Sequence, residues 1–288
     1  MFDYEQAFCR NNNLCKSWNQ DKIRQAKVAV IGCGGVGGLH AMNLARMGIE
    51  NIILVDPDVF ELSNLNRQYG SSTKSVGRHK VVVVKRDIVA INPEAKVDVI
   101  VGRFCLDNAS DIIHEVDIII DGLDVFSFQA RLELYRTARA YGKTVINSGP
   151  FSFGAGLIVF GKDSMAFEDY FDIHDCSKPI ENFVKLCVGM TPSLMYLKYV
   201  DIEKIKKNMF VVGGPCLNAT MMMAASFVGT EVVRHILEPE TTRYAPYSLH
   251  YDAYRRKIKH SYLPKGNRGW LQKIKINKMV KRIHVGNK

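Results

Sequence analysis

Apolar residues along this chain fall first into short unbroken runs. Lys27–Ile31 and Asn51–Val55 are such runs, rich in β-branched side chains, and 97–101, 116–120 and 144–146 repeat the pattern. Runs of that length with apolar side chains on successive residues predict strands buried on both faces, as in a parallel sheet. Between them the spacing shifts to one apolar position every three or four residues over 39–47, Lys80–Ile91 and 130–141, which predicts helices. The helix over Lys80–Ile91 stops at Asn92-Pro93, because a residue before proline avoids the helical region. Alternating strands and helices imply an α/β fold: a doubly wound, mainly parallel sheet with helices on both faces. After Ser152 the pattern changes. Gly154–Phe160 is a glycine-spaced run, Asn218–Leu237 reads as a long helix and 247–251 as a late strand, giving antiparallel late strands at one end of the sheet. The intervening stretch, about 161–215, shows few clean periods and reads as a crossover loop or lid, not a core element.

Composition narrows the class without naming an activity. With 47% hydrophobic and 24% charged residues the chain is globular, and no stretch supplies the ~18 uncharged apolar residues of a membrane helix. The start, Met1-Phe2-Asp3-Tyr4-Glu5, has neither a basic region nor an apolar core, so a cytoplasmic protein without a membrane contact is expected. Seven cysteines contain no C-x-x-C pair, which predicts reduced thiols and no structural zinc site. Of these, Cys176 and Cys187 fall in the irregular stretch, where a nucleophile is conceivable, although a buried, inert thiol is the better expectation. The net charge of +10 is uneven: no acidic residue follows Asp252, while twelve Lys and Arg residues do. We therefore divide the chain into one domain over 1–252 and a basic C-terminal extension over 253–288. Its cations are interleaved with Tyr254, Tyr262 and Trp270, a pattern suited to a nucleic acid or an acidic partner.

The candidate chemistry begins where the first strand ends. Gly32-Cys33-Gly34-Gly35-Val36-Gly37-Gly38 joins a strand to a helix, a setting in which backbone N–H groups approach phosphate oxygens at a positive helix end. Gly32, Gly34, Gly35 and Gly37 are the expected nucleotide-binding positions. Asp56, about 20 residues on, closes the second strand where an acid accepts from ribose hydroxyls, in NAD sites as well as ATP sites. A cationic pair then separates the two cofactors: Arg67 lies in Ser63-Asn64-Leu65-Asn66-Arg67-Gln68 and Lys80 ends Val76-Gly77-Arg78-His79-Lys80. Hydride transfer has no use for fixed cations near a third phosphate, whereas displacement at an α-phosphate must neutralise departing pyrophosphate. Asp121-Gly122-Leu123-Asp124 follows the strand at 116–120, at the carboxyl edge of the sheet where ligands bind in open α/β folds.

In this order, from glycine loop through Asp56/Asp58, Ser63 to Gln68 and Val76 to Lys80, ending at Ile91-Asn92-Pro93, the chain resembles the ThiF/MoeB/HesA family, relatives of ubiquitin-activating enzymes. The resemblance implies a Rossmann-like adenylation domain using ATP and Mg2+, in which Asp56, with Asp58, holds ribose. It implies that Asn64 and Arg67 contact phosphates, that Lys80 grips the β/γ end, and that Asp124 is linked to magnesium, with Asp121 and Leu123 beside the nucleotide. Asp121 also has a competing reading as a capping or supporting residue. Arg10 matches a position in the family that reaches the partner subunit's nucleotide, which implies a homodimer. The sequence departs from the family at Val125, where asparagine is common, and at Arg131, two positions beyond the usual arginine. The implied reaction is adenylation of a carboxylate on a ubiquitin-like protein, a peptide or a modified tRNA. A NAD- or FAD-dependent oxidoreductase and a non-catalytic partner subunit are the competing classes.

Overall fold

The computed structural model describes residues 1–201 and 215–284. Two short helices, α1 (Tyr4–Phe8) and α2 (Gln20–Gln25), precede an alternating series. That series runs β1 (Lys27–Ile31), α3 (Gly37–Arg46), β2 (Asn51–Val55), α4 (Lys80–Ile91), β3 (Lys96–Ile100), α5 (Leu106–His114), β4 (Ile118–Asp121), α6 (Phe128–Ala140) and β5 (Thr144–Phe151). β6 (Gly154–Phe160), α7 (Phe167–Phe171), α8 (Pro179–Met190), α9 (Asn218–Leu237), β7 (Tyr247–Asp252), β8 (Lys257–Tyr262) and α10 (Trp270–His284) complete the described elements.

All eight strands form one sheet in the order β3-β2-β1-β4-β5-β6-β7-β8. The first five are parallel and the last three antiparallel, as expected. β1 lies between β2 and β4, with Ile31 beside both Val55 and Asp121. The chain therefore reverses its direction of travel across the sheet at β1, opening a crevice at the carboxyl ends of β1 and β4. Successive residues of β1 serve opposite cores, which is why the run is apolar throughout. Val28 and Val30 join Leu44, Val84 and Val228 of α3, α4 and α9, while Ala29 and Ile31 join Ile113, Leu132 and Phe171 on the other face.

Two expectations about the later half change. The stretch after residue 160 is not loop throughout: α7 and α8 are helices, and Phe167, Tyr170 and Phe171 are among the largest fully buried side chains. They cluster around Phe160, with Phe167 stacked 4.2 Å from Tyr135. Helix α7 is too short to show a period, and its anchoring is aromatic packing between distant segments. The crossover or lid expected further along falls partly on 202–214, outside the described residues.

The basic extension is likewise built into the fold. β8 pairs with β7 from Tyr247 opposite Tyr262 to Asp252 opposite Lys257. Ile276 and Met279 of α10 pack on Val184 and Val188 of α8. Asn267 is fully buried and donates to the carbonyls of Phe171, at 2.9 Å, and Lys185, at 2.8 Å. Among the described residues no helix is long and apolar enough to cross a membrane.

Candidate active site

The crevice is built on glycines. Gly32, at φ +89°, turns the chain out of β1 while its N–H donates to Val55 O at 2.7 Å. A Cβ at Gly37 would lie 1.7 Å from Gly32 O, and one at Gly122 would lie 2.4 Å from the same atom. The start of α3 and the loop after β4 can therefore close on this turn only as bare backbone. Gly34, by contrast, faces open space, with nothing within 4 Å of where its Cβ would stand. The helix end presents its unpaired amides there, a setting that favours an anion. Gly122 was not singled out from the sequence; only its approach to Gly32 reveals its role.

Asp56 braces this loop. Its Oδ2 accepts from Cys33 N at 2.6 Å and its Oδ1 from Asp58 N at 2.8 Å, at 5% exposure. Burial raises its pKa, and the two amide bonds and nearby Lys80 oppose that rise. Asp58 carries an exposed carboxylate that pairs with Lys80 Nζ at 2.8 Å.

The segment between β2 and α4 leaves the sheet and returns beside its starting point, because Phe60 N donates to Arg78 O and Lys80 N to Asp58 O, each at 3.0 Å. That closure sets Lys80 at the first turn of α4, buried, within electrostatic reach of Asp56 and Cys33. At the apex, Asn64 spends its side chain locally: its Oδ1 accepts from Glu61 N at 3.1 Å and its Nδ2 donates to Ser63 Oγ at 3.2 Å. Asn64 thus shapes the turn that carries Arg67 and keeps the second N–H of its amide beyond these bonds. Arg67 donates to Ser63 O at 2.9 Å and Asn66 Oδ1 at 3.0 Å, and its Nε lies 4.0 Å from where Gly35 would carry a Cβ. The structure places Arg67 against the glycine loop. Met221 of α9 covers the same glycine, its Cε 3.1 Å from that point.

The two aspartates after β4 separate. Asp121 is closed off: its side chain is 0% exposed and takes bonds from Arg131, Tyr135, Asn147 and Leu123 N. Its buried, fully bonded carboxylate braces the loop after β4. Leu123 contributes backbone to that brace, its N 2.9 Å from the Cβ position of Gly32. Asp124 is exposed, and its carboxylate accepts from Phe126 N at 2.9 Å. Among the described residues no group of three or more His, Cys, Asp or Glu could hold a metal ion. Asp124 nonetheless fits magnesium, which is commonly held by one or two carboxylates together with substrate phosphates and waters.

Arg10 is not brought to this crevice. It is exposed in the turn Cys9–Asn11, where Asn11 Nδ2 donates to Met47 O at 3.2 Å, just past the far end of α3. Its turn therefore meets the opposite end of α3 from the glycine loop, and a ten-residue helix is ~15 Å long. Cys187 is buried, and burial pushes its thiol up to about 12, too high for a nucleophile. Cys176 is also raised by burial. A cysteine the sequence did not favour lies nearer: burial raises the Cys216 thiol, Arg67 lowers it and Asp124 raises it, so both charged groups are within electrostatic reach of it.

Fold and crevice together define a doubly wound α/β domain with Arg67 beside the glycine loop and Lys80 buried near Asp56. Residues 8–268 match the ThiF family, and the chain belongs to that family. It is 37% identical over 181 residues to a probable molybdopterin-synthase adenylyltransferase of Porphyra purpurea, covering 61% of this chain and 46% of the relative. It is 35% identical over 147 residues to the adenylyltransferase and sulfurtransferase UBA4 of Debaryomyces hansenii, covering 51% of this chain and 31% of the relative. These matches span a third to a half of the curated relatives' length. Among solved structures, E. coli MccB with ATP superposes with a TM-score of 0.63 at 22% identity, covering 88% of this chain and 69% of that one, which shows a shared fold.

Proposed function

We propose that this chain uses ATP to adenylate a substrate carboxylate, releasing pyrophosphate. The observation that carries the reading is the convergence of two cations on one phosphate cradle, Arg67 against Gly35 and Lys80 beside Asp56. The names of its relatives, adenylyltransferases of molybdopterin synthase and of the UBA4 type, support it. A nicotinamide cofactor would leave both cations without a role.

A carboxylate is already ionised near neutral pH, so no general base is needed. One of its oxygens attacks the α-phosphorus in line, the bond to the bridging oxygen breaks, and the electron pair leaves with pyrophosphate. Gly34, Gly35 and the start of α3 hold the phosphates, and Arg67 and Lys80 neutralise the charge that builds on the leaving group. Asp56 shares its remaining lone pairs with the ribose, since a carboxylate oxygen accepts more than one hydrogen bond. Asp124 would hold Mg2+, which supplies charge neutralisation across the phosphates when bound.

The acceptor classes are the C-terminus of a ubiquitin-like protein, a peptide, or a carboxylate on modified tRNA, with the reaction in the cytoplasm. Arg10, whose turn meets the opposite end of α3 from its own glycine loop, is assigned to the nucleotide of a second copy in a homodimer, where an arginine in trans stabilises phosphoryl charge. The exposed Tyr254, Tyr262 and Trp270, with the surrounding cations, offer a surface for a nucleic acid or acidic partner.

ATP–pyrophosphate exchange with a panel of carboxylate acceptors tests the reading. Arg67→Ala, Lys80→Ala and Asp124→Ala should each lower kcat/KM by about 10²-fold or more, the scale of a lost charge-stabilising donor. Exchange that survives all three overturns it.

A further inference from the structure

Arg131 has no place in the reaction above, yet it bonds three residues of the crevice wall, Asp121, Leu123 and Asp124. It projects from α6 and is 3% exposed. Nε donates to Asp121 Oδ2 at 2.8 Å, and Nη2 lies 3.3 Å from Asp121 Oδ1. The same guanidinium reaches forward into the loop, Nη2 to Leu123 O at 2.8 Å and Nη1 to Asp124 O at 3.2 Å. Its fixed planar donors therefore tie the end of β4 to two successive carbonyls of the segment that carries Asp124.

The anchor is itself rigid. Asp121 also accepts from Tyr135 Oη at 3.0 Å and Asn147 Nδ2 at 2.7 Å, both buried, and from the half-buried Leu123 N at 3.1 Å. The Asp124 carboxylate is held far less: its named contact is one bond from Phe126 N, and it stands in solvent. The backbone of Asp124 is thus clamped while its carboxylate is left available, as a ligand group needs when it must not wander.

We propose that Arg131 is a positioning residue for Asp124: by holding the Leu123 and Asp124 carbonyls from the buried Asp121 anchor, it fixes the point from which the Asp124 carboxylate meets magnesium-bound nucleotide. The inference rests on the reading of Asp124 given above. A lysine at 131 keeps the charge opposite Asp121 but cannot bond a carboxylate and two carbonyls in one plane.

The test is equilibrium binding of ATP by calorimetry, in saturating MgCl2 and in EDTA, so that it needs no acceptor and no turnover. Arg131→Lys should weaken binding about tenfold in MgCl2 and leave it unchanged in EDTA, and Asp124→Asn should do the same. The double variant should be no worse than either single one, the sign of residues acting through one contact. Asp121→Asn, which leaves Arg131 in place but loosens its anchor, should give a smaller shift of the same kind and serves if Arg131→Lys does not fold. Tyr135→Phe, which removes a bond to Asp121 but no carbonyl clamp, should lower Tm and leave magnesium dependence as in the wild type. Wild-type magnesium dependence in folded Arg131→Lys or Asp121→Asn, with Asp124→Asn impaired, overturns the positioning role alone. Wild-type dependence in Asp124→Asn overturns the magnesium assignment and this inference with it. Absence of pyrophosphate exchange in a wild-type protein that still shows the binding pattern would instead count against adenylation.

Discussion

Residues 27–151 and residues 152–283 share one sheet but are held together differently. In the first part β1, β2 and β4 are buried along almost their whole length and each is followed by a helix that packs beside it, and the crevice residues sit where those elements end. In the second, β8 is an exposed edge and the connections are closed by long-range bonds, such as those from Asn267 to Phe171 and Lys185. The first part therefore tolerates change in its loops, where the chemistry lies. The second depends on contacts between segments about a hundred residues apart, and losing one end exposes the other.

The largest effect should come from breaking the second part. Truncation after Asp252 removes β8 and α10, and with Ile276 and Met279 gone it leaves Val184 and Val188 uncovered, about 2 kcal/mol each. With the lost hydrogen bonds the cost is on the order of 5 kcal/mol, comparable to a domain's whole stability. Circular dichroism should show no cooperative thermal transition; a melt as sharp as that of the full chain would show that the two parts are independent. Tests of the basic surface accordingly call for point substitutions.

A second comparison uses one buried histidine from each part. Burial lowers His40, on α3, and His250, on β7, each to about 4, against the weaker opposing influence of the Ser148 backbone and Asp121 on the first and of Asp252 on the second. A base depressed in the folded state is protonated preferentially in the unfolded chain, so stability is full above pH ~6.5 and is lost as pH falls toward 4. The loss should approach ~3 kcal/mol per histidine. Neither ring nitrogen of His40 reaches full hydrogen-bond geometry, although the Ser148 backbone is close enough to favour its charged form, whereas His250 Nδ1 lies 3.3 Å from Ser193 Oγ. Urea denaturation should show His40→Leu flattening the acid limb at little cost at pH 7, and His250→Leu flattening it while losing about 1 kcal/mol at pH 7. An unchanged acid limb in both would refute the assignment.

The smallest effect is a chemical one at the crevice. Cys216 is close to both Arg67 and Asp124, so bound ATP should slow its alkylation by iodoacetamide while leaving the exposed Cys9 and Cys15 unaffected. Peptide mass spectrometry reads the ratio. Equal labelling of Cys216 with and without ATP would place the triphosphate elsewhere.

Sequence alone determined the parallel half to the residue in places, Lys27–Ile31, Asn51–Val55 and Lys80–Ile91 among them, because burial on both faces and helical spacing are written locally. It also marked Gly32, Arg67 and Lys80 as belonging together, since a phosphate cradle needs bare backbone and nearby cations in a fixed order. Only the tertiary structure separated the surroundings of Asp121 and Asp124, three positions apart: Arg131, Tyr135 and Asn147 converge on the first and leave the second in solvent. The same holds for α7, β8 and α10. Their burial is supplied by residues distant in the chain, and no local period can record a contact whose other half lies elsewhere.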